Sequence, residues 1–174
     1  MKTDYYATIY ASPLGELTLE SDGDSLTGLY FTYPPGEEEP EGNEGDEGNE
    51  GDALPIFDKT RRWLDCYFSG LTPDFTPPLR PEGSPFYQRV WEILRTIPFG
   101  ETTTYGAIAR RIARERGIPK MAAQAVGRAV GANPIALIIP CHRVVGANGD
   151  LTGYAGGIYR KARLLDLEQY GEII

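Results

Sequence analysis

A cysteine and a histidine stand side by side at Cys141 and His142, inside the segment Ile-Ile-Pro-Cys-His-Arg-Val-Val that covers residues 138–145. His142 is the only histidine of the chain, and Cys141 is one of two cysteines. A thiol is a strong nucleophile only as the thiolate, and a nearby imidazole is a common means of removing its proton. Because apolar residues flank the pair on both sides, the sequence predicts a nucleophile held between buried segments.

The same pair also has a structural interpretation, because free cysteines and lone histidines most often serve as packing residues. Consecutive side chains of an extended segment point to opposite faces. Cys141 and His142 can therefore couple only if the chain turns there or a water molecule connects them. The residues alone leave the catalytic and the structural interpretations equally open. The other cysteine, Cys66, lies in a helix-like pattern with Trp63, Leu64 and Tyr67 at core spacing, and we interpret it as a packing residue.

Length and cysteine content limit the classes of protein that this chain can represent. Its 174 residues are enough for a substantial core in one domain or two small ones. No apolar stretch approaches the roughly 20 residues that span a bilayer, and the N-terminus lacks the pattern of a signal peptide. Two cysteines in unrelated contexts predict no disulfide framework. Together with a reactive thiol, they lead us to expect a cytoplasmic protein.

The net charge of −8 is unevenly distributed. Residues 1–80 carry 5 basic and 17 acidic residues, whereas residues 81–174 carry 12 basic and 8 acidic residues. Nine of the acidic residues lie between Glu37 and Asp52, in a Gly-rich run without an apolar residue, and we predict a disordered acidic loop at 36–52. An alternative is that this loop competes with the basic half as a phosphate mimic. The basic half can still bind a polyanion, because local charge governs binding more than the sum does.

The first half of the chain predicts an α/β domain. Three short alternating runs, Tyr5–Tyr10, Leu14–Glu20 and Ser25–Tyr33, indicate an antiparallel meander, and a helix over Phe57–Phe68 follows. Five prolines between residues 70 and 85 indicate an extended linker. We therefore place one domain at 1–80 and a second at 81–174.

The second half predicts a helical domain. Ser84 and Pro85 begin a first helix, Thr104 begins a second, and a third covers Met121–Val130 after a turn at Gly117. Two short helices joined by a turn, the second rich in Ala and Gly, suggest helix-turn-helix, although an ordinary core pair with a solvated basic face fits equally well. The basic residues available for phosphate contacts are Arg110, Arg111, Arg114, Arg116, Lys120 and Arg128.

Several segments of the second half resemble one known family, the O6-alkylguanine-DNA alkyltransferases. The resemblance covers nearly all of residues 84–170, in order and at the spacing of the family. It rests on Asn133-Pro-Ile-Ala-Leu-Ile-Ile-Pro-Cys-His-Arg-Val-Val, Gly153-Tyr-Ala-Gly-Gly157, Pro98-Phe-Gly-Glu-Thr-Thr-Thr-Tyr-Gly, Ala122-Ala-Gln-Ala-Val-Gly-Arg-Ala-Val-Gly and Arg163-Leu-Leu-Asp-Leu-Glu168. It implies a ribonuclease-H-like α/β first domain and a mostly helical, winged-helix second domain that binds the minor groove of double-stranded DNA.

The resemblance also implies a chemistry and a role for particular residues. Cys141 would accept the alkyl group of O6-alkylguanine, with O4-alkylthymine as a further candidate substrate. His142 would take the thiol proton through a water molecule, and Glu168 would orient the imidazole. Asn133 would brace the cysteine loop, and Tyr105 would help to rotate the base and protonate the departing guanine. The thioether product does not hydrolyse, so each molecule would react once.

Further residues are assigned by the same resemblance to the flipped guanine and to DNA. For the guanine, besides Tyr105, these are Val144, Tyr154, Ala155 and Val130. For DNA they are Gln124, Arg128, Ala122, Ala125, Thr104 and Arg143. No cofactor and no metal are expected, since no His or Cys precedes Cys66 where some family members carry zinc ligands. We expect a monomer that does not associate with membranes.

The chain departs from the family pattern at Gln124. Family members usually carry an arginine nine residues before the Asn of Asn-Pro, where it fills the gap left by the flipped base. Gln124 lacks the positive charge of arginine, although Arg128 lies one turn later on the same helix face. We hypothesise weaker binding to the lesion. Ala155 replaces a common serine but keeps the backbone amide that would donate to O6 of the guanine.

Two other functions remain open at this point. One is a lesion-binding relative without catalysis, which resembles this family but carries Trp at the cysteine position, so Cys141 argues against it. The other is a Cys-His-Glu hydrolase unrelated to DNA, which leaves the basic helix pair without a role. Transfer of label from O6-methylguanine, binding without transfer, and repeated ester turnover would distinguish the three.

Overall fold

The computed structural model describes residues 4–37 and 53–173. The first half contains an antiparallel sheet of strands β1 (Tyr6–Ser12), β2 (Gly15–Ser21) and β3 (Leu26–Phe31), in the order β1-β2-β3. Leu19 of β2 pairs with both Thr8 and Leu29, and the register between β2 and β3 shifts once, between Glu20 and Ser21. The predicted meander is confirmed. Of the predicted acidic loop 36–52, residues 38–52 lie outside the described residues.

Helix α1 (Pro55–Phe68) packs against this sheet. Pro55 suits the first turn of a helix because the missing N–H has no intrahelical partner there. The helix buries Phe57, Leu64 and Tyr67 completely, and the sheet buries Leu17, Leu19, Leu26 and Leu29 against it. Removal of this apolar surface from water is the main force that holds sheet and helix together.

The second half is built from helices α2 (Pro85–Leu94), α3 (Tyr105–Arg116), α4 (Ala123–Gly131) and α5 (Ile158–Tyr170). Ser84 and Thr104 cap α2 and α3, accepting from the backbone N–H groups of Tyr87 and Ala107, as Ser and Thr at these positions predict. The third predicted helix begins at Ala123 instead of Met121 because Ala122 is extended. The mostly helical prediction is confirmed.

A two-stranded parallel pair lies within this helical half, between β4 (Thr103–Thr104) and β5 (Val144–Val145). Thr104 pairs with Val145 and is also the N-cap of α3. The pair therefore holds the beginning of α3 beside the segment that follows Cys141 and His142.

Helices α3 and α4 form the predicted helix pair. Gly117 ends α3 in the left-handed conformation, with φ of 65°, which a glycine adopts without steric cost. Behind the pair, Trp91 of α2 donates from its indole nitrogen to the carbonyl of Ala129 at 2.8 Å. Ile112 and Val126 are fully buried between the helices. Among the residues that the structure describes, no helix has the length and apolar character required to cross a bilayer.

The two halves of the chain share one hydrophobic core. They are also joined by backbone hydrogen bonds, because Leu29 of β3 donates to the carbonyl of Pro134 at 2.9 Å and accepts from the N–H of Ala136 at 2.8 Å. Strand β3 thus pairs with the chain that leads to Cys141. The boundary that we propose near residue 80 falls in the segment between α1 and α2.

Candidate active site

Cys141 follows two tight turns of the backbone. The N–H of Ile138 donates to the carbonyl of Ala136 around Leu137, whose φ is 69°, and the N–H of Cys141 donates to the carbonyl of Ile139 around Pro140. A positive φ is costly for a leucine, and such strain is found most often at functional sites. The chain then enters a 3-10 turn, Cys141–Arg143, before β5. These turns thus determine the direction in which the Cys141 side chain points from the backbone.

Asn133 holds this strained segment at both ends. Its Oδ1 accepts from the backbone N–H of Ile135 at 3.0 Å, and its Nδ2 donates to the carbonyl of Ile139 at 2.8 Å. The second bond reaches the residue whose carbonyl also accepts from Cys141 N–H. Since Asn133 uses both ends of its amide, replacement by a residue that only donates or only accepts leaves one contact unmade.

The Cys141 side chain lines a pocket that both halves of the chain enclose. Its other lining residues are Leu29, Tyr30, Phe31, Tyr33, Pro34, Val130, Gly131, Asn133, Ala136, Gly153, Tyr154, Ala155, Gly156 and Arg160. Of the residues expected to contact a guanine, Val130, Tyr154 and Ala155 are therefore brought together with the thiol. The Tyr154 hydroxyl is buried and has no hydrogen-bond partner within residues 4–37 and 53–173. Burial raises the pKa of the Cys141 thiol, while Asn133 and the charge of Lys161 oppose that rise.

His142 lies away from this pocket and is fully buried. Its Nε2 forms a short contact with Oε2 of Glu168. Its Nδ1 is buried without a partner in the described part of the chain. Because a carboxylate accepts, Nε2 carries the proton of the neutral imidazole and Nδ1 has a free lone pair. Burial lowers the pKa of His142 although Glu168 opposes this effect, so the ring is neutral at pH 7 and able to accept a proton.

The Glu168 carboxylate is held by four donors. Besides His142, the hydroxyl of Tyr67 donates to Oε2 at 2.7 Å, while Arg143 Nε at 2.7 Å and the backbone N–H of Gly100 at 3.0 Å donate to Oε1. Burial raises the pKa of this carboxyl group, but the hydrogen bonds and charges of His142 and Arg143 outweigh it and lower the pKa to about 2. Glu168 is therefore an anion at neutral pH, fixed in orientation beside the imidazole.

Arg143, which we expect to contact DNA, is turned towards the interior in the structure. Its side chain is only 10% exposed, and its guanidinium donates to Glu168 and, at 2.7 Å from Nη1, to the carbonyl of Ile97. These contacts neutralise a buried carboxylate, and a DNA contact of Arg143 stays a prediction. Arg143 thus belongs to the support of the His142–Glu168 pair.

Tyr105 and Val144 lie beside the pocket but do not line it. Tyr105 begins α3, is half-buried, and donates from its hydroxyl to the carbonyl of Thr152 at 3.3 Å. Val144 is fully buried, and its carbonyl accepts from Lys161 Nζ at 2.6 Å. Lys161 also donates to the carbonyl of Thr152 at 3.0 Å. The buried ammonium group of Lys161 therefore connects β5, through Val144, to the loop at Thr152, whose carbonyl also accepts from Tyr105.

The expected DNA-contacting residues of α4 lie on its outer face. Ala122, Gln124 and Arg128 are exposed, and Ala125 is partly exposed. Thr104 is also partly exposed, and its hydroxyl caps α3. Of the basic residues nearby, Arg111 lies 3.5 Å from Glu115, which also binds Arg89 of α2. Small side chains beside exposed arginines allow a close approach to a phosphate backbone.

Two residues of this site were not foreseen from the sequence. The spacing of Tyr67 in α1 indicates a core residue, and no sequence pattern indicates a role for Lys161. Two weak signals point to them: a buried tyrosine hydroxyl usually has a hydrogen-bond partner, and Lys161 shares one face of α5 with Leu164 and Glu168. Within residues 4–37 and 53–173, no three His, Cys, Asp or Glu side chains are grouped as a metal site would require.

In comparisons with known proteins, the two halves of the chain match two domain models of the same family. A family model described as 6-O-methylguanine DNA methyltransferase, ribonuclease-like domain, matches residues 5–81. A second one, described as 6-O-methylguanine DNA methyltransferase, DNA binding domain, matches residues 85–170. The predicted ribonuclease-like first half and DNA-binding second half are confirmed.

Individual relatives are similar over nearly the whole chain. The methylated-DNA–protein-cysteine methyltransferase of Haemophilus influenzae is 44% identical over 168 residues, which are 96% of this chain and 88% of the relative. That of Methanosarcina acetivorans is 45% identical, with coverage of 94% and 97%. Among solved structures, Mycobacterium tuberculosis OGT in complex with DNA aligns with a TM-score of 0.76 at 41% identity, covering 97% of this chain and 94% of that one.

Proposed function

This chain belongs to the 6-O-methylguanine DNA methyltransferase family and acts in the direct repair of alkylated DNA, and we propose that it removes the alkyl group of O6-alkylguanine by transferring it irreversibly to Cys141. The observation that carries the proposal is the placement of Cys141 in the lining of a pocket, followed in the chain by a buried, neutral His142 that is paired with an anionic Glu168. A thiol that is protonated at rest acquires its charge only when a base takes its proton.

The reaction is an in-line displacement at an sp3 carbon. The sulfur of Cys141 forms a bond to the alkyl carbon, and the electron pair of the broken carbon–oxygen bond stays with the guanine. The proton of the thiol passes through a water molecule to Nδ1 of His142, whose imidazolium Glu168 stabilises. Tyr105 donates a proton to N3 of the departing guanine. The resulting thioether does not hydrolyse, so each protein molecule reacts once.

The substrate must be turned out of the duplex, because the alkyl carbon lies inside the base stack, and this step costs a few kcal/mol. Helix α4 enters the minor groove with its exposed face, where Gln124 occupies the space that the base leaves and Arg128, Ala122, Ala125 and Thr104 contact the backbone. Support for this docking comes from the small and basic residues exposed on that face.

The flipped guanine is bound between the two sides of the Cys141 pocket. The backbone amide of Ala155 donates to O6, and the carbonyls of Cys141 and Val144 accept from the exocyclic amine. Val130 and Tyr154 pack against the base and the alkyl group. Asn133 keeps the cysteine loop in its strained conformation, as its two hydrogen bonds support. We further propose that the protein acts as a monomer in the cytoplasm, without a cofactor, since its thiol must stay reduced.

One labelling experiment tests this function. The protein is mixed with a duplex that carries O6-[methyl-labelled] guanine, and the transferred label is counted per protein and located by peptide mass. We expect one equivalent on Cys141, no transfer in Cys141→Ser, and full transfer in the matched variant Cys66→Ser. Binding of the lesion without transfer would indicate a lesion-binding protein, and repeated turnover of a small ester would indicate a hydrolase.

A further inference from the structure

Tyr67 reaches the active site from the ribonuclease-like half of the chain. It lies on α1, outside the region that matches the DNA binding domain, and its side chain is fully buried. Its ring stacks on Trp63 with centroids 5.2 Å apart and packs edge-on against Phe99 at 5.9 Å. These contacts leave the ring little freedom and point its hydroxyl at Glu168, to which it donates at 2.7 Å.

Tyr67 and His142 bind the same oxygen of the carboxylate. Both contact Oε2 of Glu168, and the Tyr67 hydroxyl is 3.4 Å from Nε2 of His142. The other oxygen, Oε1, is occupied by Arg143 and Gly100. Each carboxylate oxygen thus accepts from two donors, so the roughly four acceptor positions of the carboxylate are all occupied. One of the four donors is supplied by the first half of the chain.

We propose that Tyr67 is a positioning residue for alkyl transfer: its hydroxyl fixes the Glu168 carboxylate against His142 and takes up part of the negative charge that the imidazole would otherwise receive. This role rests on the function proposed above, since it acts through the base that accepts the thiol proton. It makes the ribonuclease-like half a contributor to the chemistry as well as to the fold.

The physical consequence of losing the hydroxyl follows from the sharing of Oε2. With one donor fewer, the carboxylate oxygen is a stronger acceptor and stabilises an imidazolium more, so the pKa of His142 rises. An imidazole must be neutral to accept the thiol proton, and the acid limb of the pH–rate profile therefore moves to higher pH. The titratable and charged groups around His142 are Tyr67, Cys141, Arg143, Lys161 and Glu168.

The test compares Tyr67→Phe with Tyr10→Phe. Tyr10 is the matched control, because its hydroxyl donates at 2.6 Å to Asp65 of the same helix α1, outside the active site. His142 is the only histidine, so nitrogen NMR of a protein without a histidine tag reads its titration and tautomer directly. We expect Tyr67→Phe to raise the His142 titration midpoint and the acid limb of single-turnover methyl transfer together by roughly one pH unit. Tyr10→Phe should move neither.

A double-mutant cycle separates positioning from packing. In a Glu168→Gln background, Tyr67→Phe should cause no further shift of the His142 titration, because the shared carboxylate is gone. A shift that persists there would assign the effect to packing and overturn the proposal, as would an unchanged titration and acid limb in the single variant. A wild-type protein that transfers no label would overturn the proposed function instead, and the NMR titration would still show whether the Tyr67 hydroxyl acts on His142.

Discussion

Cys141 and His142 are neighbours in sequence that face different surroundings. The cysteine side chain lines a pocket, whereas the imidazole is fully buried against Glu168. The side chains of Cys141 and His142 thus point in different directions, as expected for consecutive residues of an extended segment. The segment is, however, a 3-10 turn and not a strand. Their coupling requires an intermediary, and a water molecule between the thiol and Nδ1 is the simplest one consistent with the proposed mechanism.

Gln124 is the residue at which this chain differs most informatively from the expected pattern. It is exposed on α4, one turn before Arg128, which is exposed on the same face. A glutamine hydrogen-bonds an unpaired base but brings no charge to a polyanion. Substitution of Gln124 can therefore measure how much the affinity for the lesion depends on a positive charge in the space left by the flipped base.

Gln124→Arg should tighten binding to a duplex containing O6-methylguanine. An added guanidinium contact is expected to contribute about 1 kcal/mol, roughly a fivefold lower Kd, as measured by fluorescence anisotropy with the Cys141→Ser protein. Gln169→Arg, at an exposed position of α5, is the control for added charge alone. Unchanged or weaker binding by Gln124→Arg, or an equal gain in the control, would refute the hypothesis.

At the scale of elements, the site depends on where helices and strands of the two halves meet. Strand β3 hydrogen-bonds to both sides of Ile135 through Leu29, and so supports the chain that leads to the cysteine. The end of α1 approaches the end of α5 so closely that a Cβ on Gly70 would stand 2.2 Å from the carbonyl oxygen of Gly171. This approach brings Tyr67 of α1 within reach of Glu168 on α5.

Gly70→Ala should therefore destabilise the protein more than Gly117→Ala does. Both glycines have positive φ, 87° and 65°, and an alanine in that conformation costs about 1–2 kcal/mol. No atom lies within 4 Å of the Cβ position at Gly117, whereas at Gly70 the backbone of the α5 terminus must also move. Urea denaturation measures the two free energies of unfolding. Equal losses in the two variants would show that the close approach is not a constraint.

At the scale of the whole molecule, charge is divided between the two halves. The first 80 residues have a net charge of −12, and the remaining 94 have a net charge of +4. The basic surface for DNA is thus covalently linked to a region that repels it. At 0.1 M salt, repulsion between exposed charges more than about 10 Å apart is largely screened, so its effect on DNA binding depends on ionic strength.

Deletion of residues 37–52 should strengthen DNA binding at low salt. It removes nine acidic residues and changes the net charge from −8 to +1. Kd measured over a series of salt concentrations should show the largest gain at the lowest salt and convergence with the intact protein at high salt. A variant of full length in which the nine acids are replaced by their amides separates charge from length. Equal affinity at every salt concentration would reduce the segment to a spacer.

Local residue patterns determined the elements and the reacting group. Alternating apolar residues predicted β1 to β3, Ser84 and Thr104 predicted the starts of α2 and α3, and Gly117 predicted the end of α3. These predictions held because capping, periodicity and glycine conformation depend on a few adjacent residues. The resemblance carried by short motifs identified the family for the same reason, since its residues are close in sequence.

Tertiary structure decided which side chains surround the reacting pair. Tyr67 and Glu168 are 101 positions apart in the sequence. The Tyr67 hydroxyl can donate to the Glu168 carboxylate only because α1 and α5 approach each other in the fold. Nothing in the sequence next to Arg143 indicates that it pairs with the buried carboxylate of Glu168. Lys161 is buried because α5 lies against β5 and its neighbouring loop. Burial and charge pairing set the pKa values of the site. Both arise only when distant segments come together in the fold, so the sequence of a single segment does not reveal them.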